Sequence, residues 1–263
     1  MNFIFMPQVF LAALAGAALE LDTYFIGMTL FSQPIIAGGI AGFIFNDLQT
    51  GILLGSLVQL IWISPPVGAY VPPSSTSIAF TATVLALIMP VNEIKHNLQA
   101  LLMYSIGIGA AYGYFVGQAD IWNRKLNTKI VHYFEPGILA GRQSGILAAQ
   151  ALSILAKFIR DFVGYVLLFG VGAGIAVKVY NTLPAEVIEG LARALWLMPV
   201  IGLAVIYESF RSRLGSILHL VTFVICYVLL LANKGVNPWF LMLAVVTACV
   251  VVVNNFVWNK KGV

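Results

Sequence analysis

An all-helical, polytopic membrane protein is the fold class this sequence predicts, and three observations carry it. Of its residues, 60% are hydrophobic and 9% charged, whereas a soluble domain carries roughly a quarter charged residues. The chain cannot cover its surface with charge, so lipid must be its solvent. Its apolar runs are long and continuous, without the period-two alternation of a barrel strand. Helices also pair their own backbone groups in lipid, which open strands cannot do.

The apolar segments are 3–20, 24–45, 51–63, 75–92, 98–118, 138–156, 162–180, 190–207, 216–232 and 238–257. Segment 3–20 lacks the positive flank of a signal peptide, since Lys and Arg are absent before Lys95, and reads as a retained first span. Segment 24–45 reads as the second span, with Glu20 and Asp22 at the outer interface and Asp47 starting the next helix. Segment 51–63 is shorter than the roughly 17–25 residues a spanning helix needs, so 46–74 reads as a hairpin that dips into the membrane and returns.

Further along, basic clusters stand at Arg124/Lys125/Lys129, Lys157/Arg160, Arg211/Arg213 and Lys260/Lys261. Placing all four in the cytoplasm makes 138–156 an interfacial or re-entrant element and puts both termini inside. The mixed stretch 119–136, "ADIWNRKLNTKIVHYFEP", reads as an interfacial helix, with a docking surface for a soluble partner as the alternative. The expected architecture is about eight transmembrane helices plus a re-entrant hairpin and interfacial helices, in one membrane domain over residues 1–263.

Several function classes fall away. The net charge of +4 and the absence of a basic, aromatic module exclude a nucleic-acid partner. Cys226 and Cys249 lie in apolar runs and read as small buried hydrophobes. His96, His132 and His219 are scattered, without ligands at metal spacing. No metal, no cofactor and no catalytic group is expected in this chain.

The informative stretch is 46–77, "NDLQTGILLGSLVQLIWISPPVGAYVPPSSTS". Pro65, Pro66, Pro72 and Pro73 each lack an N–H and disfavour helix at the preceding residue. Residues 64–75 are therefore expected to be non-helical. Such backbone is tolerated at membrane depth only inside protein or against a watery cavity, which is how transporters build mid-membrane sites. The nearby side chains suit a sugar. Gln59 offers an amide donor and acceptor, Trp62 and Tyr70 offer flat apolar faces, and Ser74, Ser75, Thr76 and Ser77 offer hydroxyls. Each has a plainer reading: helix capping for the hydroxyls, packing for Trp62, an interhelical hydrogen bond for Gln59. Gly38, Gly39, Gly42, Gly51 and Gly55 read as close helix packing.

"GFIFNDLQTGILLGSLVQL" (42–60) resembles the signature of the IIC membrane subunit in the mannose/sorbose family of bacterial sugar phosphotransferase systems. Gly42, Asn46, Asp47, Thr50, Gly51, Gly55 and Gln59 stand in the signature's places. "LDTYF" (21–25) resembles its upstream Leu-Asp element, and "VGAYVPPSS" its downstream Gly-then-Pro-Pro element. The resemblance implies a membrane partner, the IID subunit, with soluble IIA and IIB subunits and assembly as an oligomer. IIB would phosphorylate the sugar substrate as it emerges inside. It implies the bacterial inner membrane as location, and a moving core past a fixed scaffold. Gln59 stands where the family has a sugar-contacting Glu or Gln. Asp22 matches the upstream Asp. Ser74 departs from the pattern, since many members carry Asp there, and a serine gives a weaker, neutral contact. Two other classes remain: an ion-coupled transporter using Asp22 or Asp47, and a scaffold subunit that keeps the fold without transporting.

Overall fold

The structure, a computed structural model, describes residues 7–22, 25, 29–62, 72–89 and 97–209. All regular elements among them are helical: α1 (Pro7–Leu21), α2 (Pro34–Ile44), α3 (Leu48–Ile61), α4 (Ser75–Ile88), α5 (Leu98–Leu139), α6 (Gln143–Leu167), α7 (Ala173–Thr182) and α8 (Ala185–Ser209). A π-helical turn, Leu168–Gly172, joins α6 to α7 without a break. The chain divides into two units, Met1–Met198 and Pro199–Val263. The described part of the second is the end of α8. Segments 216–232 and 238–257, with Cys226 and Cys249, lie outside the described residues, as do His96, His219 and the last two basic clusters.

Short helices surround the expected break. α2 has 11 residues and α3 has 14, so at 1.5 Å per residue they run about 16 and 21 Å, less than the ~30 Å hydrocarbon core. Residues 24–45 thus form no single span. Pro34 opens α2 at a position where its missing N–H costs no helical bond, and residues 29–33 before it are non-helical. α3 turns back on α2 through 45–47, with Asn46 at φ 60°. The Asp47 carboxylate caps α3, accepting from the Thr50 N–H at 3.0 Å and the Thr50 hydroxyl at 2.7 Å. Gly38, Gly42, Gly51 and Gly55 bring the two backbones together; a Cβ on Gly55 would lie 2.6 Å from the Pro34 carbonyl oxygen.

Two later elements differ from expectation. The stretch 119–136 is no separate interfacial helix but the continuation of α5, which runs 42 residues and passes through Pro136. Segment 138–156, from Gln143 onward, and segment 162–180 are likewise one 40-residue rod, Gln143–Thr182. These two rods, antiparallel across the turn at 140–142, are each long and apolar enough to cross a membrane. At about 60 Å each exceeds the hydrocarbon thickness.

α6 shows which solvent the bundle expects. Its buried positions recur every four residues: Gly145, Ala149, Ser153, Lys157, Asp161 and Tyr165. The exposed faces carry Leu147, Leu152, Leu155, Ile159, Val163 and Leu167. Polar residues inside and apolar residues outside reverse the water-soluble pattern, as lipid requires. The inner face of the bundle packs through Ala12, Ala13, Phe80, Val84, Phe169 and Ala173.

Gly55→Leu is expected to force α2 from α3 and to destabilise the protein by about 1–3 kcal/mol. A lower melting temperature in detergent checks this; an unchanged one contradicts the close backbone packing.

Candidate functional site

Of the stretch 64–75 expected to be non-helical, the described part is non-helical over 72–74, and Ser75 is already helical. α3 ends at Ile61, with Trp62 as its C-terminal cap, and α4 begins at Ser75, with Ser74 as its N-terminal cap. Residues 72–74 are non-helical, while 63–71, including Tyr70, lie outside the described residues. The last residue of the break is paired internally. The Ser74 N–H donates to the Gly113 carbonyl of α5 at 3.0 Å. Gly113 and Gly117 permit that approach, since Cβ atoms there would lie 2.8 Å from the Ser74 oxygen and 2.9 Å from the Pro72 oxygen.

Ser74 ties three helices together. Its hydroxyl accepts from the Ser77 N–H at 3.1 Å, capping α4, and donates to Glu20 Oε1 of α1 at 2.7 Å. Ser77 donates to the same oxygen at 2.6 Å and lies 3.0 Å from the Tyr165 hydroxyl of α6. With Ser77 donating to Glu20, Tyr165 donates to Ser77. Tyr165 is fixed edge-on to Phe80 at 5.7 Å and stacked on Phe169 at 5.5 Å.

Glu20, expected at the outer interface, is in fact 2% exposed. Lys157 and Arg160, expected as a cytoplasmic flank, are drawn into an ion-pair cluster across α5 and α6. Lys157 Nζ donates to Asp120 Oδ1 and Asp161 Oδ2, both at 2.9 Å. Arg160 Nε donates to Asp161 Oδ1 at 2.8 Å, and its Nη2 reaches both Asp120 and Asp161. Lys157 is 1% exposed, so its charge serves internal pairing rather than topology. One signal was available in the sequence: Lys157 and Asp161 are four apart, an ion pair on one helix face inside an apolar run.

Thr76, Asp22 and Gln59 lie along a polar strip leading away from Ser74. Thr76 donates its hydroxyl to the Ser32 carbonyl. Asp22 organises the loop that carries Ser32: its carboxylate accepts from the Thr29 N–H at 2.8 Å, the Thr29 hydroxyl at 2.6 Å and the Ser32 N–H at 3.0 Å. That loop holds Leu30 at φ 73°, a backbone conformation rare for a bulky residue and concentrated at functional sites. Next along, Gln33 accepts from Gln59 Nε2 at 2.9 Å. Gln59 Oε1 is buried and makes no hydrogen bond. Trp62 is half-buried against Val58, Ile78 and Ala79. Ser75 is half-buried at the first position of α4. Asp47 lies at the far end of α3 from Gln59, engaged in its cap. His132, outside the strip, pairs with Glu135 at 2.9 Å on the exposed part of α5.

Comparison with known proteins defines the class. A family model described as "PTS system sorbose-specific iic component" matches residues 6–253. The mannose-specific EIIC component of the Escherichia coli (strain K12) PTS is 24% identical over 206 residues, covering 76% of this chain and 71% of that protein. The putative N-acetylgalactosamine permease IIC component 2 of the same strain is 34% identical over 71 residues, covering 26% of this chain and 53% of the relative. A solved structure titled "Structure of membrane protein" shares the fold with a TM-score of 0.59 at 22% identity, over 94% of both chains.

The chain belongs to the sorbose-specific IIC component family of the phosphotransferase system. It is an integral membrane protein and a sugar-transporting permease subunit that works with other components of that system.

Lys157→Met is expected to destabilise the bundle by about 3–5 kcal/mol, because it leaves buried carboxylates without their counter-charge. Adding Asp161→Leu should recover part of the loss. Thermal unfolding in detergent checks both, and a Lys157→Met variant as stable as the parent contradicts the cluster's structural role.

Proposed function

We propose that the polar strip at the helix break is the sugar site, and that the chain carries a hexose or hexose derivative inward through it. The observation that carries this reading is Gln59 Oε1, a buried acceptor with no hydrogen bond. Leaving such an atom unpaired costs about 1–3 kcal/mol, and a sugar hydroxyl would satisfy it. The Gln33 amide is bonded to the same side chain, and Trp62, which caps the same helix, and the Ser74 and Ser75 hydroxyls, which open the next one, are the further groups this reading assigns to the site. Tyr70, from the same interrupted stretch, completes the proposed set. Asp22 serves as the positioning residue that shapes the Gln33 loop, and Asp47 fixes the start of the helix that bears Gln59.

The partners in this reading are a IID membrane subunit and soluble IIA and IIB subunits. IIB phosphorylates the sugar as it leaves, so the chemistry resides outside this chain. The assembly is an oligomer in the bacterial inner membrane. The chain acts as one domain; with 24–45 no single span, the proposed count falls from about eight spans to about seven, beside the re-entrant hairpin over 46–74.

The competing readings have less support. The two acids singled out for ion coupling are engaged in local hydrogen bonds, Asp22 with Thr29 and Ser32 and Asp47 with Thr50. The scaffold reading rests on the missing acid at position 74, yet Ser74 lies 2.7 Å from the Glu20 carboxylate.

Gln59→Ala should raise the KM for sugar uptake at least about tenfold, in line with loss of a buried polar contact, while assembly with the membrane partner persists. Uptake by reconstituted complex, with IIB and phosphodonor present and absent, checks this. Unchanged KM removes Gln59 from the site.

A further inference from the structure

Glu20 makes its hydrogen bonds to neutral groups, although a cation lies close by. Asp120 and Asp161 are each bonded by both Lys157 and Arg160, so these groups form a balanced quartet. Glu20 is left over. Its Oε2 lies 4.0 Å from Lys157 Nζ, beyond hydrogen-bond reach. Its Oε1 is held only by neutral donors, the Ser74 and Ser77 hydroxyls at 2.7 and 2.6 Å. Those serines open α4 at the helix break, at the head of the polar strip.

We propose that Glu20 is the acceptor carboxylate of the sugar site and its determinant against sugar acids. This rests on the strip being the sugar path. Serine hydroxyls and sugar hydroxyls are the same kind of donor. A sugar hydroxyl can therefore take the place of the Ser74 hydroxyl one for one, and the buried carboxylate is never left unsatisfied. Ser74, once released, still caps α4 through the Ser77 N–H. Hydroxyl bonds to a carboxylate are short and strong, which favours neutral sugars presenting a free hydroxyl there. The same charge rejects sugar acids by like-charge repulsion.

The experiment measures uptake by the complete reconstituted complex for one neutral hexose, its monodeoxy analogues and the matching uronic acid, with the parent chain, E20Q and E20Q/S74D. E20Q should raise the KM for the hexose at least tenfold. It should have little effect on the one deoxy analogue that lacks the partnered hydroxyl, and should narrow discrimination against the uronic acid. E20Q/S74D, which restores a carboxylate at the other end of the 2.7 Å hydrogen bond, should recover most of the affinity. If E20Q does not assemble, E20D supports the same comparison by withdrawing the carboxylate one methylene. An equal KM change for every analogue, or none, overturns the role of Glu20 while sugar uptake by the parent stands. A parent complex that takes up no sugar with IIB present overturns the transport path itself.

Discussion

A helix interrupted in lipid must find partners for its freed backbone within the protein, and Ser74 is where this chain meets that demand. One residue donates its N–H to α5, caps α4 and bonds the α1 carboxylate. Each unpaired group in hydrocarbon would cost several kcal/mol. The Pro72–Ser74 break is thus possible only because Gly113 and Gly117 leave room for it and Glu20 reaches it. The positions of α1, α4 and α5 follow from that arrangement.

A second requirement concerns charge. Glu20, Asp120, Lys157 and Asp161 are buried in a bundle whose outer face is apolar. Isolated, each would be expensive; together, the α5 and α6 groups neutralise one another and join the two long rods. Glu20 lies between that cluster and the helix break, 4.0 Å from Lys157 Nζ and bonded to the Ser74 and Ser77 hydroxyls, so the ion pairs and the break form one continuous polar interior. A membrane bundle with this interior can hold water and hydroxyl-bearing ligands where an apolar core could not.

Much of this is legible in the sequence, for reasons that can be named. The ratio of apolar to charged residues fixes the solvent, and the prolines fix where helix must stop. Asp47 and Ser74 are residue types that cap helices, and both do. What is not legible is whatever depends on distant pairing. Glu20 reads as interfacial until Ser74 and Ser77, 54 and 57 residues away, fold onto it. Lys157 and Arg160 read as a topological signal until Asp120 arrives from the neighbouring helix. The same charges made α5 and the α6–α7 rod look like separate short elements. Local composition suggested interfaces, whereas the tertiary partners turn those residues inward. Gln59 is intermediate: its motif position marks it, but its partner Gln33 and its unpaired oxygen emerge only from the fold.

The central claim is that the break between α3 and α4 is wet and lies on the sugar's path. Ser75, half-buried at the start of α4, reports on it directly. In a chain with Cys226 and Cys249 replaced, a single cysteine at position 75 can be challenged with a small, charged, membrane-impermeant thiol reagent in the assembled complex. The account predicts measurable labelling that transported sugar slows in proportion to its occupancy. A thiol that stays inert, or one whose labelling no sugar affects, would contradict it.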